Sequence, residues 1–181
     1  SPTEGVYHYT NTTDKFHTAS IVKVAVATEY YHLLEENKIT KTVDDDTQMS
    51  YMLRESDNDA TDYFVDDILK GETNLSPLFK SLAMTQTSPG ESWGLTTTCA
   101  LDQIKLLNAL YYDNYLEEKD LDTVKSLMEN VASDQNWGIS ATDETTALKN
   151  GWLEYSDEHW IINSIGYIDS GRENYTMAIL S

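Results

Sequence analysis

"FHTASIVKVAVATEYYHLL", residues 16–34, is almost wholly apolar in its first half, yet Lys23 stands in the middle of it. Residues 20–36 read as a helix about 25 Å long at 1.5 Å per residue. Val22, Val24, Ala25, Val26, Ala27, Leu33 and Leu34 make its first turns apolar nearly all round. A helix of that kind belongs at the centre of a fold. An ammonium group is costly there, and the nearest polar candidate is Ser20, three residues earlier. Positions i and i+3 share a helix face, so the amine can approach the hydroxyl. Burial disfavours the charged amine and lowers its pKa, which suits Lys23 to act as a general base. A serine at a helix start also has free backbone N–H groups nearby, fit for a developing oxyanion.

S-x-x-K occurs by composition roughly once in a chain of this size, so the surroundings must decide. The chain has 181 residues, with 40% hydrophobic and 10% aromatic content, enough for one folded domain with a real core. Its net charge of −19 argues against phosphate-mediated nucleic-acid binding and against a polybasic membrane contact. Cys99 is the single cysteine, so neither an intrachain disulfide nor a thiolate metal cluster can form. No apolar run reaches the 18 residues of a transmembrane helix.

Along the chain, "GVYHYTNTTDKF" alternates as a short strand and ends in a polar turn. "SYMLRESDNDATDYFVDDIL" reads as two short helices joined at Ser56-Asp57-Asn58, with Asn58 as N-cap. "SPLFKSLAM" is a further short helix, and "TQTSPGESWGLTTT" is a loop. Thr97 or Thr98 then caps a helix through "CALDQIKLLNALYY", followed by another over "LDTVKSLMENV". From about residue 147, β-branched and aromatic residues with turns at "YSDE" and "DSGRE" give an antiparallel meander.

Two more patches carry chemistry. Ser56 lies between helices, where a hydroxyl can relay a proton, and the amide of Asn58 can hold a substrate carbonyl. Lys149-Asn150-Gly151 opens the strand run, where glycine permits close approach and lysine can anchor an anion. "DNDATD" and "VDDD" lack the glycine and distal glutamate of a calcium loop. His17 near Ser20 lacks the G-x-S-x-G elbow of a Ser-His-Asp hydrolase. No metal or cofactor site is expected.

The order S-x-x-K, S-D-N, K-x-G resembles the signature of class A β-lactamases and penicillin-binding proteins. "PGESWGLTTTCALDQIKLLNAL", "KNGW" and "IINSIGYI" are similar to further stretches of that superfamily, so the resemblance spans nearly the whole chain. It implies an α+β, β-lactamase/transpeptidase-like fold: an antiparallel sheet with helices, plus an all-α lobe. The expected layout is one domain over 1–181, its α/β lobe from 1–19 and 141–181 and its helical lobe from about 20–140. The family's first strand and last helix are absent, so a longer protein or a strand-pairing partner is expected.

By resemblance, Ser20 is the acylated nucleophile and Lys23 its proton acceptor. Ser56 passes a proton to the leaving nitrogen, and Lys149 supports Ser56 and attracts the substrate carboxylate. Asn58, Asn150, Gly151 and Trp152 border the substrate, and the backbone N–H groups of Ser20 and Trp152 form the oxyanion hole. The substrate implied is a β-lactam or a peptidoglycan peptide of the D-Ala-D-Ala type. The setting implied is extracellular or on the surface of a bacterium, the leader being absent from this chain. Three departures stand out. Asn150 replaces the usual Thr or Ser, Trp152 is bulky, and the deacylating glutamate's place falls near Ser81, leaving Glu91 as the only acid of the loop. The alternative is a non-catalytic relative that binds peptidoglycan peptides or a protein partner.

Overall fold

The computed structural model describes residues 14–142, 144–154, 159–171 and 173–181. The strand expected over "GVYHYT" lies outside them. The first described element is β1 (Phe16–His17), followed by a 3-10 turn, Ala19–Ile21, and α1 (Val22–Glu35). Every residue of α1 from Val22 to Tyr31 is buried, as the apolar run requires. Next come α2 (Asp45–Ser50), a π-helical turn Tyr51–Glu55, α3 (Asn58–Asp62) and α4 (Ser76–Ser81). They are followed by β2 (Thr97–Thr98), α5 (Ala100–Tyr111) and α6 (Glu118–Glu129). The meander is β3 (Thr145–Glu154), β4 (Trp160–Asp169) and β5 (Asn174–Ile179). The fold is therefore α+β, with helices gathered against an antiparallel sheet.

Two expectations about helix starts need correction. Asp57, not Asn58, caps α3: its Oδ1 accepts from Ala60 N at 2.7 Å. Both residue types cap well, and the choice matters because it releases the Asn58 side chain. Thr97 and Thr98 do not cap α5. They form β2, antiparallel to β1, with Phe16 opposite Thr98 and His17 opposite Thr97. The N-cap of α5 is Cys99, which makes no side-chain cap bond.

The sheet order is β3-β4-β5, all antiparallel, with Gly151 opposite Asn163 and Trp152 opposite Ile162. Side chains alternate between faces along a strand. Ala147 and Ile165 therefore join the large core built with α1, α5 and α6, where Tyr111 stacks on Tyr167 at 4.4 Å. Leu148 and Ile168 face the other way and pack with Ile139. Lys149 and Gly151 share the face of Ala147, which directs them at the start of α1.

Candidate active site

Ser20 sits half-buried in the 3-10 turn, immediately after Ala19, whose φ of 45° is left-handed. One turn on, Lys23 is fully buried. Its Nζ donates to Ser56 O at 2.6 Å, Asn58 Oδ1 at 2.9 Å and Asp57 O at 3.2 Å, and lies 3.4 Å from Ser56 Oγ. An ammonium has three protons to give, and these acceptors use them. Among the described residues no hydrogen bond joins Lys23 to Ser20. Burial brings its pKa down to about 8, against the opposing charges of Asp57 and Asp62.

Ser56 ends the π-helical turn at φ 58° and ψ 31°, an uncommon conformation for serine. Its hydroxyl receives Lys149 Nζ at 2.8 Å as well as the longer contact from Lys23. A hydroxyl that accepts from a lysine still has its own hydrogen to give. That is the arrangement a proton donor needs. Lys149 is almost fully buried, and burial together with the nearby Lys23 holds its pKa well below that of an ordinary lysine.

β3 closes the other side. A Cβ built on Gly151 would lie 2.6 Å from Ser20 N, 2.8 Å from Ile21 N and 2.9 Å from Thr18 O. Only glycine allows the strand to press against the Ser20 turn. Gly151→Ala is therefore expected to push β3 away, at a cost of about 1–3 kcal/mol for overpacking. The expected readouts are a lower melting temperature and at least a tenfold loss in any acylation of Ser20. Ile162 N and O are both taken by Ser181, on the β5 side of β4. In an antiparallel ladder this makes Trp152–Ile162 a non-hydrogen-bonded pair. Trp152 N–H consequently points out of the open edge of β3, beside the Ser20 turn.

The family model of the beta-lactamase enzyme family matches residues 41–181, downstream of Ser20 and Lys23. The chain belongs to this family. Among curated proteins, none matches it. Its fold is that of a β-lactamase from Chitinophaga pinensis, with TM-score 0.81, 15% identity and coverage of 94% of this chain and 78% of that one. The TLA-1 extended-spectrum β-lactamase is similar at TM-score 0.83 and 14% identity, covering 98% of this chain and 80% of that one. PBP-A is similar at TM-score 0.77 and 18% identity, covering 91% and 71%. Among the described residues no helix is long and apolar enough to cross a membrane.

Within this β-lactamase-family chain, two residues named from sequence sit differently from expectation. Asn150 does not reach the cleft: it is fully buried, and its Nδ2 donates to Gln135 O and Trp137 O, both at 2.9 Å. Since Gly151 faces Ser20, its neighbour must face away, so Asn150 fastens the 135–137 segment instead of meeting substrate. Trp152, next to Gly151 on β3, turns its side chain to the opposite face. Its side chain leans on Trp137, centroids 5.8 Å apart, and with Trp160, Ile162 and Asp134 lines an open groove of about 370 Å³.

Other residues emerge only in three dimensions. Asn163 Nδ2 donates to His17 O at 2.9 Å and Thr18 O at 3.0 Å, tying β4 to the segment before Ser20. A lone amide in the apolar run "IINSIG" was the signal for it. The Trp93 ring lies 4.9 Å from Lys23 Nζ, and its Nε1 donates to Asp62 Oδ1 at 2.7 Å. Ser81, at the expected place of the glutamate, bonds Leu78 O and Tyr115 Oη. Glu91 is exposed.

Proposed function

We propose that the protein is a serine hydrolase acylated at Ser20 by β-lactams or by D-Ala-D-Ala-type peptides, and that it releases the acyl group slowly. The observation that carries this reading is the shared hydroxyl of Ser56, bonded by Lys149 and approached by Lys23, one helical turn from Ser20. An idle binding protein has no use for two buried lysines on one hydroxyl, since each costs desolvation.

In the proposed reaction Ser20 Oγ attacks the carbonyl carbon of the amide. Its proton passes to neutral Lys23, and the carbonyl oxygen gains charge between the N–H groups of Ser20 and Trp152. Collapse of the intermediate breaks the C–N bond, and the leaving nitrogen takes the hydroxyl proton of Ser56. Ser56 recovers a proton from the lysines behind it. The Asn58 Oδ1 is held by Lys23, which leaves its Nδ2 to donate to a substrate carbonyl.

Incubation with a fluorescent penicillin tests this directly. A covalently labelled protein that survives denaturation is expected, and absence of label at millimolar penicillin would favour the binding-protein alternative. The rate should also depend on pH in one sense. Lys23 must be neutral to accept the proton, so labelling should climb as pH rises through about 8 and level off above it.

A further inference from the structure

Lys23 is surrounded by more than the three sequence motifs. On one side are Ser56, Asp57 and Asn58. On another is Lys149 from β3, whose own pKa the charge of Lys23 lowers. Closing the space is Trp93, from the turn Trp93–Leu95. That turn is fixed to the segment before the nucleophile: Thr18 Oγ1 donates to Trp93 O at 3.4 Å and Thr18 N to Thr96 O at 2.8 Å. Asp62 lies on α3 one turn beyond Asn58 and grips the indole N–H from the far side.

We propose that Trp93 and Asp62 are positioning residues for Lys23: the indole clamped by Asp62 forms the wall that holds the Lys23 ammonium on Ser56 and Asn58, and the pair thereby governs when the lysine becomes a base. This rests on the acylation reading given above. An aromatic face attracts a cation, more so when water is excluded. A carboxylate beyond the ring adds attraction of the same sign. Both favour charged Lys23, in opposition to burial, while Asp57 assists them. Lys23 thus stays ordered until substrate arrives.

Asp62→Asn is the discriminating variant, because the amide oxygen still accepts from the indole while the charge is gone. Losing a stabiliser of the ammonium form moves the rising limb of acylation toward acid, by roughly half a pH unit for a charge screened at this range. Asp62→Asn is therefore expected to label roughly two- to threefold faster than the parent at pH 7 and equally fast above the limb. Trp93→Phe, which keeps a ring but lets Asp62 go, should move the limb the same way. A purely structural role would slow labelling at every pH and leave the limb in place, and that result overturns the proposal. If the parent protein is not labelled at all, the acylation reading fails by itself. The titration of Lys23 then decides the proposal alone, followed by ¹³C NMR of its Cε and assigned with Lys23→Arg. A downward move in Asp62→Asn supports it and an unchanged titration overturns it.

Discussion

Ser20→Ala protein incubated with benzylpenicillin should show a single unshifted mass, while the parent protein gains the mass of one intact penicillin. In the proposed reaction the Ser20 oxygen forms the ester, so nothing replaces it. Lys23→Ala should still gain the adduct, but about 10²- to 10⁴-fold more slowly, the usual worth of a positioned base. Removing Lys23 also strips Ser56 O and Asn58 Oδ1 of their donor. A thermal melt must therefore accompany the rate. Lys23→Arg offers the contrast, since it supplies donors but remains charged at every accessible pH. Slow labelling in both variants assigns the loss to proton transfer. An adduct on Ser20→Ala at the parent rate would mean that another nucleophile is acylated.

The second large effect is the fate of the acyl-enzyme. Hydrolysing the Ser20 ester quickly requires a base for the incoming water, and Lys23 is committed to the first step. Ser81 stands where the resemblance puts that base, yet its hydroxyl is turned to Tyr115, whose ring packs on His32. His32 is twelve residues beyond Ser20, or about 18 Å along the helix. The loop's own acid, Glu91, is exposed. Asp57 and Asp62 are the carboxylates whose charges act on Lys23, but an oxygen of Asp57 caps α3 and one oxygen of Asp62 receives the Trp93 indole. Without a positioned base the second step should be about 10²- to 10⁴-fold slower than with one, or roughly 3–5 kcal/mol higher in barrier. Mass spectrometry should then show the adduct persisting while a chromogenic cephalosporin turns over slowly, with Glu91→Gln unchanged. Rapid turnover with no adduct would refute this. In that event, loss of turnover in Glu91→Gln or in Asp62→Asn would locate the base.

The reach of the sequence can be judged residue by residue. Lys23 was legible because an ammonium in an apolar helix demands a reason, and the meander because its strands alternate. The convergence of Ser56 and Lys149 was legible only through the order of motifs, since nothing local in "SDN" or "KNG" brings them together. Asp57 and Asn58 are adjacent and both good caps, so which side chain turned inward depended on Lys23 seeking an acceptor. Asn150 looked like a substrate contact until the approach of Gly151 to Ser20 fixed the parity of β3 and buried it. Trp93 and Asp62 were illegible for a plainer reason: an indole and a carboxylate 31 positions apart carry no pattern. Only the placement of the turn against α3 joins them.

The bond from Lys149 to Ser56 spans 93 positions and that from Asn163 to His17 spans 146. Closing such separations comes late when a chain folds, because the entropy of the intervening loop must be overcome first. A nascent chain lacking its last hairpin would hold a reactive-looking Ser20 and Lys23 with neither the proton donor braced nor the strand in place. Reactivity toward penicillin should therefore appear in one step, after helical circular dichroism has already recovered. Covalent capture of Ser20 would serve as a stopwatch for the final docking of the sheet.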